Sequence, residues 1–222
     1  MDRSAAQQHI LNIFSNYKSI AEEDADALTG IKSDGKVYEL YCLATTLDKL
    51  EKHCGASFKF CGSDIKFKSS GGQIKNGDPH FEISFPGDNV KYCLYTDIEF
   101  YTLSHKHNLT TGNSSHHEID IVLVEDGIVG NPNHDQIHIG IECKSNAVLK
   151  KHVAREILGY RRELSFLSNL NWSILSTHDP IEFSPIRADP SSEYWIAFTD
   201  PGFLKYASGP DYFGIRFMHW PV

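Results

Sequence analysis

Asp120, Glu142 and Lys144 carry charge inside stretches that are otherwise apolar, where a charge needs a partner or a task. Asp120 interrupts the run Glu118-Ile119-Asp120-Ile121-Val122-Leu123-Val124. Glu142 and Lys144 flank Cys143 at the end of Gln136-Ile137-His138-Ile139-Gly140-Ile141-Glu142-Cys143-Lys144. Both runs are rich in β-branched residues, and Asp126, Gly127, Gly130, Asn131, Pro132 and Asn133 lie between them. The pattern predicts two strands and a connecting loop. Side chains alternate across a strand, so Glu142 and Lys144 emerge on one face and Ile141 and Cys143 on the other. If the strands pair, a carboxylate from one meets a carboxylate and an ammonium from the other. Two converging carboxylates offer a hard cation its oxygen ligands, with a lysine beside it. The plainer alternative is a set of ion pairs: Asp120 with Lys144, or Glu142 with Lys144 on an edge strand.

Helices and further strands must position these groups. Ile10, Leu11, Ile13, Phe14 and Tyr17 recur at helical spacing, predicting an amphipathic helix from about Ala5 to Ile20, then an acidic linker over Ala21 to Ala27. A second helix is expected from Lys36 to His53, stopped by Gly55. From Val37 to Ala44 it is apolar or aromatic except at Glu39, so it is a buried helix whose one carboxylate must pair with a base or bind a metal. Strands are expected at Ser57–Phe60, Ile65–Lys68, Phe81–Phe85 and Tyr92–Leu103, the last long enough to bend. Asp97 and Glu99 share a face of it, as an exposed edge or as reserve site residues. A third helix, Asn146 to Leu167, sets Val148, Leu149, Val153, Ile157, Leu158, Tyr160, Leu164 and Leu167 against Lys150, Lys151, Arg155, Arg161 and Arg162. Trp172–Ser176 and Tyr194–Phe198 are expected strands around a Pro- and Ser-rich connector, and Tyr212 to Trp220 a last one.

Size and charge bound the function. The 222 residues are enough for one domain with insertions. Residues 1–35 read as an N-terminal helix and acidic linker, and residues 36–222 as the main domain. No apolar run approaches the roughly 20 residues a membrane span needs, and Met1-Asp2-Arg3-Ser4 opens no signal-peptide pattern. Five cysteines without a CxxC spacing suggest reduced thiols in a cytoplasmic protein. The net charge of −8 argues against broad nonspecific binding of nucleic acid unless positive charge is concentrated locally. Lys151, Arg155 and Arg162, on one stripe of the third helix, are such a concentration.

A helix with Glu39, a strand with Asp120, a strand ending in Glu142-Cys143-Lys144, then a helix and a strand resemble the PD-(D/E)XK nuclease superfamily, the restriction-endonuclease-like fold. The resemblance covers roughly Lys36 to Ser176, with an antiparallel insertion at about 57–90. It implies a mixed α/β sheet with an αβββαβ core. Ile119 stands where the motif name has proline, and Glu156-x-x-x-Tyr160 where some members have Gln-x-x-x-Tyr. The resemblance implies a nuclease cutting phosphodiester bonds, of DNA more than RNA, in a defence, restriction or repair setting. Mg²⁺, or Mn²⁺ in its place, would lie on Asp120, Glu142 and the Cys143 carbonyl, with Glu39 holding a second ion or a water. Lys144 would orient water or stabilise charge on phosphorus with a lowered pKa, and Lys151 and Arg155 would contact phosphates.

Three other functions remain open on the residues. The same fold could bind nucleic acid or a partner without cutting. His105, His107, His116, His117, His134 and His138 could hold a transition metal, although their spacing fits no standard zinc pattern. The aromatic tail and the insertion leave room for a partner protein or a homo-oligomer.

Overall fold

In a computed structural model, the described residues are 2–17, 33–62, 67–68, 70–107, 112–145 and 148–222. The expected acidic linker and the start of the expected strand at Ile65 lie outside them. Helix α1 (Arg3–Phe14) begins where the Asp2 carboxylate accepts the Ala5 amide, and it buries Ala6, Ile10 and Phe14, successive turns of one stripe. Helix α2 (Asp34–Cys54) starts on the Ser33 hydroxyl, which accepts the Lys36 amide (3.3 Å), and ends at Gly55. Gly55 has φ 62°, the left-handed conformation that glycine adopts without strain. Val37, Tyr38, Leu40, Cys42, Leu43, Ala44, Leu47 and Leu50 bury most of its circumference.

Seven strands of the described residues form one sheet in chain order: β1 (Ser57–Cys61), β2 (His80–Ser84), β3 (Lys91–Tyr101), β4 (His116–Glu125), β5 (Ile137–Lys144), β6 (Glu193–Phe198) and β7 (Ile215–His219). The first five run antiparallel, and β6 and β7 are parallel to β5. A parallel neighbour requires a crossover, and helix α3 (Lys151–Leu164) supplies it between β5 and β6. One core joins α1 and α2 to one sheet face through Ile121, Leu123, Ile139 and Ile141. A second joins α3, through Val153, Ala154, Ile157 and Leu164, to Val122, Val124, Tyr194 and Ile196. The result is a mixed α/β architecture.

Several expectations need correction. Trp172–Ser176 is not a strand. Ser173 and Ser176 exchange side-chain and backbone hydrogen bonds as a capping box, and α4 (Ile174–His178) follows. The strand parallel to β5 is therefore β6, and the element order of interest runs to Phe198. Among its described residues, the third helix is shorter than expected, because regular hydrogen bonding begins at Lys151 and ends at Leu164. Arg161 does not belong to its basic face. It is 4% exposed and donates to the Phe213 carbonyl (3.0 Å) and the Ser192 carbonyl (2.8 Å).

The long strand does bend. Cys93 and Tyr95 face the α3 core, as do Ile98 and Phe100, so the alternation slips by one residue between them. The slip falls at Asp97, whose φ of 53° is the only positive value among the described non-glycine residues. β4 slips at the matching place: Ile121 faces the α2 core but Ile119 faces the α3 core. Register is kept on both sides, Thr96 opposite Ile121 and Ile98 opposite Ile119, while Asp97 and Asp120 leave the ladder together.

Candidate functional site

The paired slip frees two carboxylates from the sheet. Asp97 is 2% exposed, so its expected role on an exposed edge does not hold. Its Oδ1 takes the Lys36 ammonium from α2, which also holds Glu39 one helical turn on. Its Oδ2 is buried with no hydrogen-bond partner. Carboxylate oxygens of Asp97, Glu118 and Asp120 lie within 4.8 Å of one another, the only such group of His, Cys, Asp or Glu among the described residues. Glu118 is exposed, and Gly71 sits against its carboxylate: an added Cβ there would fall 2.7 Å from the Glu118 Cδ.

Asp120 and the end of β5 meet through the backbone. The Cys143 N–H donates to Asp120 Oδ2 (2.7 Å), in place of the ladder bond that would extend the pairing of Ile121 with Ile141. Glu142 is 4% exposed, and Lys144 Nζ lies 3.3 Å from its Oε2 and 3.7 Å from Glu156 Oε1. The α3 position four residues before Tyr160 thus faces Lys144, even though it is glutamate. The Cys143 side chain packs into the α2 core, where burial and Cys42 push its thiol well up, so it offers no thiolate.

Charge and burial conflict throughout this cluster. Burial, then the neighbouring Asp120, pushes Glu142 well above the ordinary carboxylate range, and the same two causes lift Glu39 to about 7 despite Lys36. Burial also raises Asp120 against the pull of the Cys143 amide and Lys144, and raises Glu118 with help from Asp97 and Asp120. Lys144 goes the other way from its expected depression. Burial alone would lower it, but Glu142, Asp120 and Glu156 outweigh burial and hold it above the usual lysine range. The depression rested on a cation alongside; the charges of the chain itself are carboxylates.

Asp120, Glu142, Cys143, Lys144 and Glu39 therefore fall in one neighbourhood. Lys151 and Arg155 lie exposed on the first turns of α3. Glu99 takes no part in the acidic group. Asp97 was only a reserve, and Glu118, Lys36 and Tyr194 were missed. Glu118 had a signal, two residues before Asp120 on one strand, and so did Lys36, one turn before Glu39. Tyr194 had none: its buried hydroxyl is unpartnered, and burial, then Glu142, pushes it well up. Among the described residues the histidines form no metal-holding group of three, although His105 and His116 stack 6.5 Å apart beside Tyr101. His134 Nδ1 faces the Leu164 carbonyl, His138 pairs with Glu125, and His117 packs on Tyr160.

The residues fit a divalent cation. Excess carboxylate charge and an orphaned buried Asp97 oxygen suit a hard ion with oxygen ligands. Compared with family profiles, curated proteins and solved structures, the chain matches none.

Proposed function

We propose that the protein is a Mg²⁺-dependent nuclease, with Mn²⁺ a substitute, that hydrolyses phosphodiester bonds of DNA in preference to RNA. The supporting observation is Asp120 Oδ2 on the Cys143 N–H at 2.7 Å, beside Glu142 on the neighbouring strand, with Lys144 3.3 Å from Glu142 and the charge of Asp120 felt by Glu39 of α2. The order α2–β3–β4–β5–α3–β6 around them agrees with a restriction-endonuclease-like core, β1 and β2 extending its antiparallel edge.

Asp120, Glu142 and the Cys143 carbonyl would hold the ion, with Glu39 beside it. Its chemistry is to polarise the scissile phosphate and to lower the pKa of water. The Cys143 amide fixes one Asp120 oxygen and leaves the other for the site. Lys144, kept protonated by its neighbours, sets positive charge where negative charge develops on phosphorus. Glu39 titrates near neutrality and can take or release a proton at its carboxylate oxygens. Lys151 and Arg155 position the phosphate backbone without reading sequence.

The test is incubation of plasmid DNA, single-stranded DNA and RNA with Mg²⁺ or Mn²⁺. Wild type should cut, a chelator should abolish cutting, and Asp120→Ala and Lys144→Ala should each lose about 100-fold or more. Intact substrate throughout, or Asp120→Ala as active as wild type, overturns the proposal. A binding module that does not cut is favoured by one observation, the Lys36 ammonium already seated on Glu39 and Asp97. It predicts substrate binding in gel shifts without metal-dependent cleavage.

A further inference from the structure

Asp97 and Glu118 lie outside the ligand set just described, yet they meet Asp120 within the span of one coordination shell. Two ligands on opposite sides of an ion stand twice the metal–oxygen distance apart, about 4.0–4.2 Å for Mg²⁺ and about 4.6–5.2 Å for Ca²⁺, and the oxygens of all three acids lie within 4.8 Å of one another, inside the wider span. A cluster of acids alone would be unremarkable; here one buried acid also keeps an oxygen without a hydrogen-bond partner. The Asp97 side chain is 3% exposed, with Lys36 on Oδ1 and no hydrogen-bond partner on Oδ2. Gly71 lies so close over Glu118 that any side chain there would displace the carboxylate. Its neighbour Gly72 is tied to β3 by accepting the Glu99 N–H (3.0 Å). Lys36 is the ammonium seated on this group, and Glu39 shares it, so the buried Asp97 and the partly buried Asp120 keep negative charge that such surroundings tolerate poorly, while Glu118 is exposed.

We infer that Asp97, Glu118 and Asp120 form a second divalent-cation position, sharing only Asp120 with the Asp120–Glu142 position and with Gly71 set against Glu118. Its all-carboxylate donor set selects Mg²⁺, Mn²⁺ or Ca²⁺ over zinc. Lys36 is its tethered counter-ion, balancing Asp97 Oδ1 and Glu39. The inference rests on the proposed function for the existence of the first position, but not for its own ligands.

Counting Mn²⁺ by electron paramagnetic resonance of the free ion, on the full chain without nucleic acid, separates the two. Wild type should bind about two ions, and Asp97→Asn and Glu118→Gln about one, the second at least tenfold weaker. Asparagine tolerates the left-handed backbone at position 97, and circular dichroism checks folding. Gly71→Ala, which keeps every ligand, should also weaken the second ion by roughly tenfold. Glu142→Gln should lose the other ion and keep this one. Unchanged Mn²⁺ binding in Asp97→Asn, Glu118→Gln and Gly71→Ala overturns the inference while leaving the nuclease reading standing. Two ions with this variant pattern in a chain that cuts nothing supports the inference and sinks the nuclease reading.

Discussion

Lys36 holds Glu39, yet burial and Asp120 still lift its carboxyl to about 7 from an ordinary value near 4.5. A carboxyl raised on folding favours the folded state while protonated. Its contribution is full below about pH 4.5 and is lost as pH rises through about 7. Asp120, Glu118 and Glu142 shift the same way, so their effects add in sign. The metal-free protein should therefore melt at a lower temperature at pH 8 than at pH 5.5. For Glu39 alone, the difference between those two pH values is about 2 kcal/mol. Glu39→Gln should flatten the curve over that interval, and millimolar Mg²⁺ at pH 8 should restore much of the loss by binding the ionised form. Melting curves at several pH values, with and without Mg²⁺, measure this. A rise in melting temperature from pH 5.5 to 8 would show that the carboxyls are already compensated within the chain.

The strand that completes the crossover, β6, is buried along its length and begins on an acid, Glu193, that is 0% exposed. Arg216 of β7 grips it from Nε (2.5 Å) and Nη2 (3.0 Å), Trp195 Nε1 donates to it (3.2 Å), and the Ser173 hydroxyl ties it to the start of α4. Glu193→Ala leaves Arg216 without its acid in a dry site and should cost about 3–5 kcal/mol in urea unfolding. Arg216→Ala added to it should cost much less than the sum, since the pair acts as a unit. Additive losses would mean that the two do not form one joint. The same element marks where sequence patterns stop informing. Helix α2, its Gly55 stop and the strands bearing Asp120 and Glu142 follow from hydrophobic period and turn residues, which are local. That Ser173 starts a helix rather than continuing a strand depends on Ser176 and on Glu193, twenty residues on. The slip at Asp97 is likewise tertiary: its left-handed backbone is matched by a slip across the sheet at Asp120, and no period in β3 alone displays it. Asp120, Glu142 and Lys144 were legible because each breaks an apolar run, whereas Glu118 and Lys36 sit in polar surroundings where a charge is ordinary.

At the scale of the whole molecule, a net charge of −8 opposes the approach of a polyanion to a site that is itself acidic. Long-range repulsion is screened beyond roughly 8–10 Å at ordinary salt, so contact is governed by whatever charge lies near the site. On α3, Lys151 and Arg155 stand exposed on the helix that carries Glu156 to Lys144. If they position the backbone, their location matters more than their share of the total charge. Lys151→Glu and Lys52→Glu alter the net charge equally, but Lys52 lies on α2, where it pairs with Asp48 at 2.7 Å. Lys151→Glu should raise KM for DNA about tenfold at 0.1 M salt with kcat little changed, the pattern of lost uniform binding. It should also reduce the slope of log binding against log salt by about one, as Arg155→Glu should. Lys52→Glu should leave both quantities near wild type. Equal effects from positions 151 and 52 would assign the repulsion to overall charge and remove α3 from the substrate path. An effect confined to 151 and 155 means that an acidic protein admits nucleic acid along one basic helix edge and relies on bound cations to neutralise the acids at its end.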